Sequence, residues 1–168
     1  MKVVIASDHA GYAYKQEIKS FLKSKGVSVV DVGTNSIESC DYPIFAHEAA
    51  QKVASGEVDF GVLVCSSGEG IAIAANKTKG IRAGIAYNDE VAGLMRQHNN
   101  ANMIAFGATF MKLPDVLRRI EIFLKTPFEG GRHERRVNEI ENYTQNFFQI
   151  YLKKMRQIAF FLFCPRYI

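Results

Sequence analysis

At 168 residues, 48% of them apolar, and with a mean hydropathy of −0.06, the chain suits one globular domain with its own core, which excludes disordered and membrane-spanning classes. The formal net charge of +4 is uneven: residues 143–168 hold Lys153, Lys154, Arg156 and Arg166 and no acid, and removing those four from 21 leaves 17 basic against 17 acidic residues in 1–142. That neutral body leaves a nucleic-acid partner without support in bulk charge.

Met1-Lys-Val-Val-Ile-Ala-Ser-Asp8 reads directly as a strand, so no signal peptide is expected ahead of the fold. The apolar run Val3 to Ala6 is the first buried strand, ending at Ser7-Asp-His-Ala-Gly11. Tyr14, Ile18, Phe21 and Leu22 then mark an amphipathic helix stopped by Gly26. Val27 to Val32 is a second strand, and Pro43 opens a helix carrying Phe45, Ala49, Ala50 and Val53. Phe60 to Val64 is a third strand, and Ile71 to Ala75 begins the next helix. Gly80 to Ala86 reads as strand four, Asp89 to His98 as a helix, and Asn102 to Phe106 as strand five. Pro114 leads a last helix with Val116, Leu117, Ile120, Phe123 and Leu124 on one face. Such alternation predicts an α/β fold, its parallel strands joined by right-handed crossovers with helices on both faces. Ligands of such sheets bind at the carboxyl ends of the strands.

The densest chemistry lies between strand three and its helix, in Cys65-Ser-Ser-Gly-Glu-Gly70. A thiol at a strand tip precedes a Gly/Ser turn that can aim backbone N–H groups at one point, and a helix N-terminus favours a thiolate or oxyanion beside it. The same pattern also fits a tight turn with a small core cysteine. Asp8-His9 after strand one and His98-Asn99 before strand five add acid–base groups, and the three stretches are read as sharing one edge. Taken singly, Asp8 also fits a helix cap and His98 a cation at a helix C-terminus. Phe128-Glu-Gly-Gly-Arg-His-Glu-Arg-Arg-Val137 is the second concentrated signal. In a helix, Arg132 and Arg136 project on one side, which suits a phosphate; pairing with Glu129, Glu134 and Glu139 is the plainer alternative.

Three widely spaced cysteines, Cys40, Cys65 and Cys164, form no CxxC pair. Their odd number argues against a disulfide framework, and a reducing cytoplasm is the simplest compartment. In the tail, Phe148, Tyr151, Leu152, Met155, Ile158, Ala159 and Leu162 recur at helical spacing, and Ile158 to Cys164 is wholly apolar. Burial against a partner is expected there; an interfacial membrane helix, further oligomer contact and a C-terminus without function remain open.

Taken together, Ser7-Asp-His-Ala-Gly11, Asp41-Tyr-Pro43, Cys65-Ser-Ser-Gly-Glu-Gly70, Ala74-Ala-Asn-Lys77, Gly80-Ile-Arg82, Arg96-Gln-His-Asn99 and Gly130-Gly-Arg-His-Glu-Arg-Arg136 resemble type B ribose-5-phosphate isomerases, whose wider family includes galactose-6-phosphate isomerase subunits. The resemblance covers about residues 1–142, an isomerase domain, and leaves 143–168 as an atypical helical tail. It implies a Rossmann-like three-layer α/β/α sandwich with a five-stranded parallel sheet that binds no dinucleotide. It further implies a metal-free, cofactor-free conversion of ribose 5-phosphate to ribulose 5-phosphate through an enediolate, a step of the pentose phosphate pathway. Galactose 6-phosphate and allose 6-phosphate are the alternative substrates. By the same resemblance Cys65 is the base, His98 assists ring opening, Asp8 meets a sugar hydroxyl and Asn99 lies near the enediolate. His9, Arg132 and Arg136 meet the phosphate, the arginines from a neighbouring subunit, so a homodimer or tetramer completes each site. Backbone N–H groups of Ser67, Gly68, Glu69 and Gly70 are placed to hold the enediolate oxygen.

Two positions depart from the pattern. Ser66 stands where many members have Gly, so a positive φ there would be strained, and Thr109 stands where an Arg for phosphate is common. A non-catalytic sugar-phosphate-binding module and a cysteine hydrolase are the readings from other classes. The first predicts no turnover, and the second predicts burst kinetics from a covalent intermediate.

Overall fold

The computed structural model describes residues 1–142, 151, 152, 154 and 155. Its strands are β1 (Lys2–Ser7), β2 (Ser28–Asp31), β3 (Phe60–Cys65), β4 (Ala83–Ile85) and β5 (Met103–Gly107). All pair in parallel, in the order β2-β1-β3-β5-β4. The helices are α1 (Tyr12–Ser24), α2 (Tyr42–Ala54), α3 (Glu69–Ala75), α4 (Asp89–Gln97) and α5 (Leu113–Lys125), followed by α6 over residues 132–142. This is the expected three-layer, Rossmann-like α/β/α sandwich around a five-stranded parallel sheet.

The apolar strand runs follow from burial on both faces. Val4, Ala6 and Leu63 pack with Ala46, Ala49, Ala50 and Ile71 of α2 and α3. Val3, Ile5, Val62 and Val64 face Ile18 and Leu22 of α1 and Val116, Ile120 and Phe123 of α5. At roughly 1.5–3 kcal/mol for each fully buried aliphatic or aromatic side chain, these two faces dominate the stability of the fold. At the end of α1, Gly26 has φ +74°, and Val27 N–H reaches back to Leu22 O at 3.0 Å, so glycine closes the helix as its position predicts.

Two strands are shorter than read. The stretch 80–82 leaves the ladder because Ile81 N–H bonds to Thr78 O and Arg82 N–H to Asn102 Oδ1. Edge strand β4 therefore begins only at Ala83. The apolar stripe of α1 also conceals a charge. Lys15 is fully buried, and its ammonium donates to both oxygens of Asp31 at 2.7 and 2.9 Å and to Thr34 O at 2.7 Å. A buried cation is tolerated only with such partners.

In the tail, Tyr151, Leu152, Lys154 and Met155 are helical, and Tyr151 and Met155 are exposed. The remaining expectations for 143–168, including the apolar run to Cys164, fall outside the described residues. Among the described residues no helix is long and apolar enough to cross a membrane.

Candidate active site

The strand order reverses direction between β1 and β3, since β2 lies on one side of β1 and β3 on the other. A crevice therefore opens at their carboxyl ends. Ser7 pairs with Val64 in register, which sets Asp8-His9 and Cys65-Ser66 side by side. Asp8 is buried, and its Oδ1 accepts from Gly11 N–H at 3.0 Å, which closes the turn ahead of α1; the N-cap of α1 is Gly11 and no side chain caps it, so Asp8 is not a helix cap. His9 Nδ1 accepts from Cys40 N–H at 3.2 Å and lies 3.8 Å from Cys40 Sγ. With Nδ1 as acceptor, the neutral ring carries its proton on Nε2, which becomes the donor.

Cys65 ends β3 with only 4% exposure, and Gly68 N–H donates to its Sγ at 3.1 Å. That bond sets a backbone N–H donor against the sulfur. It exists because Gly68 has φ +86°, a conformation that a side chain resists. A Cβ there would also stand 2.9 Å from the Phe106 carbonyl carbon. The turn is clamped to the end of β5 by Ala108 N–H on Cys65 O at 2.9 Å and Thr109 N–H on Ser66 O at 3.0 Å. Glu69 N–H is engaged by Ser67 Oγ at 3.2 Å. Gly70 meets the ring of Tyr42, which a Cβ would approach within 2.6 Å. Tyr42 thus walls the crevice, a residue the sequence signalled within the Asp41-Tyr-Pro43 motif but without a role.

The two departures resolve together. Among the described residues the only non-glycine with positive φ is Asn100, so Ser66 carries no such strain, because Gly68 makes the turn. Ser66 Oγ and Thr109 Oγ1 are hydrogen-bonded at 2.9 Å, so the two unusual side chains satisfy each other.

The expectation that His98 and Asn99 share the Cys65 edge within one chain is corrected. His98 is the C-cap of α4, and a crossover helix runs antiparallel to its strands, so its end returns to the amino edge of the sheet. Asn102 O accepts from Gly61 N–H at 3.0 Å, and Arg82 Nε donates to Asn99 O at 3.1 Å. Both fix this turn at the strand starts. Gly61 and Cys65 are four rises apart on β3, about 13 Å at roughly 3.3 Å per residue, and His98 lies beyond that. Arg132 and Arg136 belong to the same amino edge. They are exposed on α6, which is tied down by Glu141 on Arg82 and on Gly80 N–H. The fold thus brings Asp8, His9, Cys65 and the 67–70 turn to one edge and His98, Asn99, Arg132 and Arg136 to the other.

At the amino edge the rings of His98 and His133 stack, with centroids 4.2 Å apart and planes 4° from parallel. Each Nε2 faces Glu129 Oε2, at 3.9 and 3.7 Å. Burial, then the nearby charges of His98 and Arg132, push the His133 pKa below its ordinary value, with Glu129 opposing. Arg96 holds the turn after His98. It is buried, donates to Ala101 O at 2.6 Å and Asn100 Oδ1 at 2.9 Å, and lies over the rings of Phe60 and Phe123. Sequence reasoning offered Glu129 only as an ion-pair partner of Arg132 and Arg136 and named no role for His133 or Arg96, whose signal was only their place in the two basic stretches.

A parallel α/β sandwich with a thiol, a carboxylate and an imidazole around one strand-tip crevice defines the class: an enzyme-like fold whose crevice holds groups of the kind that move protons. Residues 3–140 match the family described as Ribose/Galactose Isomerase, and the chain belongs to that family. It is 45% identical over 139 residues to ribose-5-phosphate isomerase B of Escherichia coli, covering 83% of this chain and 93% of that protein. It is 41% identical over 143 residues to a probable ribose-5-phosphate isomerase B of Mycoplasma genitalium, covering 84% and 94%. The Clostridium thermocellum ribose-5-phosphate isomerase B structure superposes with a TM-score of 0.85 at 45% identity, over 88% of this chain and 99% of that one. The Mycoplasma genitalium enzyme with bound ribulose-5-phosphate superposes with a TM-score of 0.81 at 40% identity, over 86% and 96%.

Proposed function

We propose that this chain is an aldose–ketose isomerase that interconverts ribose 5-phosphate and ribulose 5-phosphate through an enediolate, with Cys65 as the base. The observation that carries the reading is the Cys65 sulfur at the β3 tip, held by the Gly68 amide at 3.1 Å beside Asp8. A carbon acid next to a carbonyl needs a base within reach and donors for the developing oxyanion. The thiolate takes the C2 proton of the open-chain aldose, and the electron pair moves to the C1–C2 bond as charge passes to O1. The O2 hydroxyl proton then passes to O1, and return of the proton from the Cys65 thiol to C1 gives the ketose. Asp8 orients a sugar hydroxyl, and of the 67–70 amides those of Ser67 and Gly70 serve the enediolate oxygen, since Gly68 N–H is on Cys65 Sγ and Glu69 N–H on Ser67 Oγ.

The working site is formed between two copies of the chain. His98, for ring opening, Asn99, and Arg132 with Arg136, for phosphate, reach the Cys65 crevice of a second copy, and His9 meets the phosphate from the crevice side. Their separation within one chain supports this arrangement. So does an open depression of about 620 Å³ whose lining includes Ser67 and Glu69 together with Ile73, Tyr87 and Phe110, the last three exposed apolar side chains. The free thiols Cys40 and Cys65 suit a reducing compartment such as the cytoplasm.

A coupled assay compares ribose 5-phosphate with allose 6-phosphate and galactose 6-phosphate. Preferential turnover of the pentose phosphate, with deuterium from solvent entering the product at C1, is the expected result. Turnover of none of them overturns the reading.

A further inference from the structure

His98, Glu129 and His133 bring two imidazole nitrogens and a carboxylate oxygen within 4.8 Å of one another. The reaction proposed above uses only the first of the three. We propose that this triad is a binding site for a late first-row divalent cation such as zinc, and that the bound metal withdraws His98 from ring opening. Two histidines and one carboxylate are a zinc donor set that leaves a coordination position open for water.

Tetrahedral bonds of about 2.0–2.1 Å place neighbouring donors roughly 3.3 Å apart. The Glu129 oxygen now stands 3.9 Å from His98 Nε2 and 3.7 Å from His133 Nε2, so each gap closes by about half an ångström on binding. In the single chain the side chains that must move are the exposed ones: Glu129 is 51% exposed and His98 37%, whereas His133 is 8% exposed and stays as the anchor. Unstacking of His98 from His133 turns its lone pair toward the metal. The backbone beneath is fixed, with Glu129 N–H on Gln97 O at 3.1 Å and His133 N–H on Gly130 O at 3.0 Å. Arg132 opposes the metal, since its Nε donates to His133 Nε2 at 3.4 Å and must release that long bond. The site is therefore weaker than a closed structural one.

The inhibitory half rests on the proposed role of His98, whereas the binding half does not. The full chain is titrated with cobalt(II), read by its visible d–d absorption, and then with zinc to displace it. The expected result is a tetrahedral cobalt band that persists in Cys65→Ser, lacks thiolate-to-cobalt charge transfer, and is weakened at least about tenfold in affinity in Glu129→Gln and His133→Asn. Zinc then inhibits the wild type reversibly. Each of those two variants, measured against its own metal-free rate, needs at least about tenfold more zinc for the same inhibition. The exposed Glu129 makes Glu129→Gln the variant least able to disturb folding. No cobalt band, a band unchanged in both variants, or one lost in Cys65→Ser overturns the site. A triad-dependent band without inhibition refutes the inhibitory half and the ring-opening role of His98 while leaving the metal site standing.

Discussion

If Cys65 and His98 act in one site but come from different chains, two inactive variants must rescue each other. Cys65→Ser loses the base, and His98→Asn loses the acid–base group at the opposite edge. Each change is expected to lower kcat by about 10²–10⁴. Within one chain the two groups are more than about 13 Å apart along β3, whereas proton transfer needs a heavy-atom separation of about 2.6–3.2 Å, or one water between. In a two-fold dimer the same pair of surfaces builds both sites. A mixed dimer therefore holds one site with both changes and one with neither. Equimolar variants unfolded and refolded together give about half mixed dimers, each with one working site of two, so about a quarter of wild-type activity returns. The converse arm mixes wild type with the double variant. No mixed dimer then has an intact site, and activity falls from about one half to about one quarter of an equal amount of wild type. The coupled ribose 5-phosphate assay reads both. Recovery no greater than the average of the parents, with mixed dimers demonstrated by mass spectrometry, refutes the assignment of His98 to the partner's crevice.

Four further outcomes follow from named contacts. Cys65→Ser is expected to leave KM within a few fold of wild type while kcat collapses, as steady-state kinetics will read; equal loss in both would mean that the thiol serves binding instead. Arg136→Ala is expected mainly to raise KM, with a larger effect on phosphorylated substrate than on inhibition by a free pentose. Gly68→Ala forces a side chain into φ +86° and to 2.9 Å from the Phe106 carbonyl carbon; a loss of about 1–3 kcal/mol in urea unfolding, with lower kcat from the displaced amide on Cys65, is expected. At Asp31, burial pushes the carboxyl pKa up, but the hydrogen bonds from Lys15 and Lys19 outweigh it and hold it below 3.8. Its stabilising contribution is therefore complete above the unfolded value and is lost as the pH falls through the lower folded value. Asp31→Asn is expected to destabilise at neutral pH and to flatten the acid limb of Tm against pH.

Much of the site could be read one residue at a time. Cys65 at the end of an apolar β-branched run, followed by Gly68 and Gly70, announces a strand tip and a left-handed turn, because strand burial and glycine conformations are local properties. The amino-edge position of His98 was also implicit in chain order, since a crossover helix must return to where the next strand starts; reading its motif together with Cys65 obscured that.

Local periodicity determined the alternating α/β plan, the two-sided burial of β1 and β3 and the closing of α1 at Gly26, since each depends on spacing within a dozen residues. Tertiary packing alone decided the rest: that Lys15, on an apolar stripe, finds Asp31, that Ser66 meets Thr109, that Tyr42 covers Gly70, and that His98 stacks on His133. These partners lie between 16 and 43 residues apart, and their meeting depends on where whole elements dock. A side chain's neighbours across such distances are set by the sheet order and the helix layers, which no stretch of sequence carries alone.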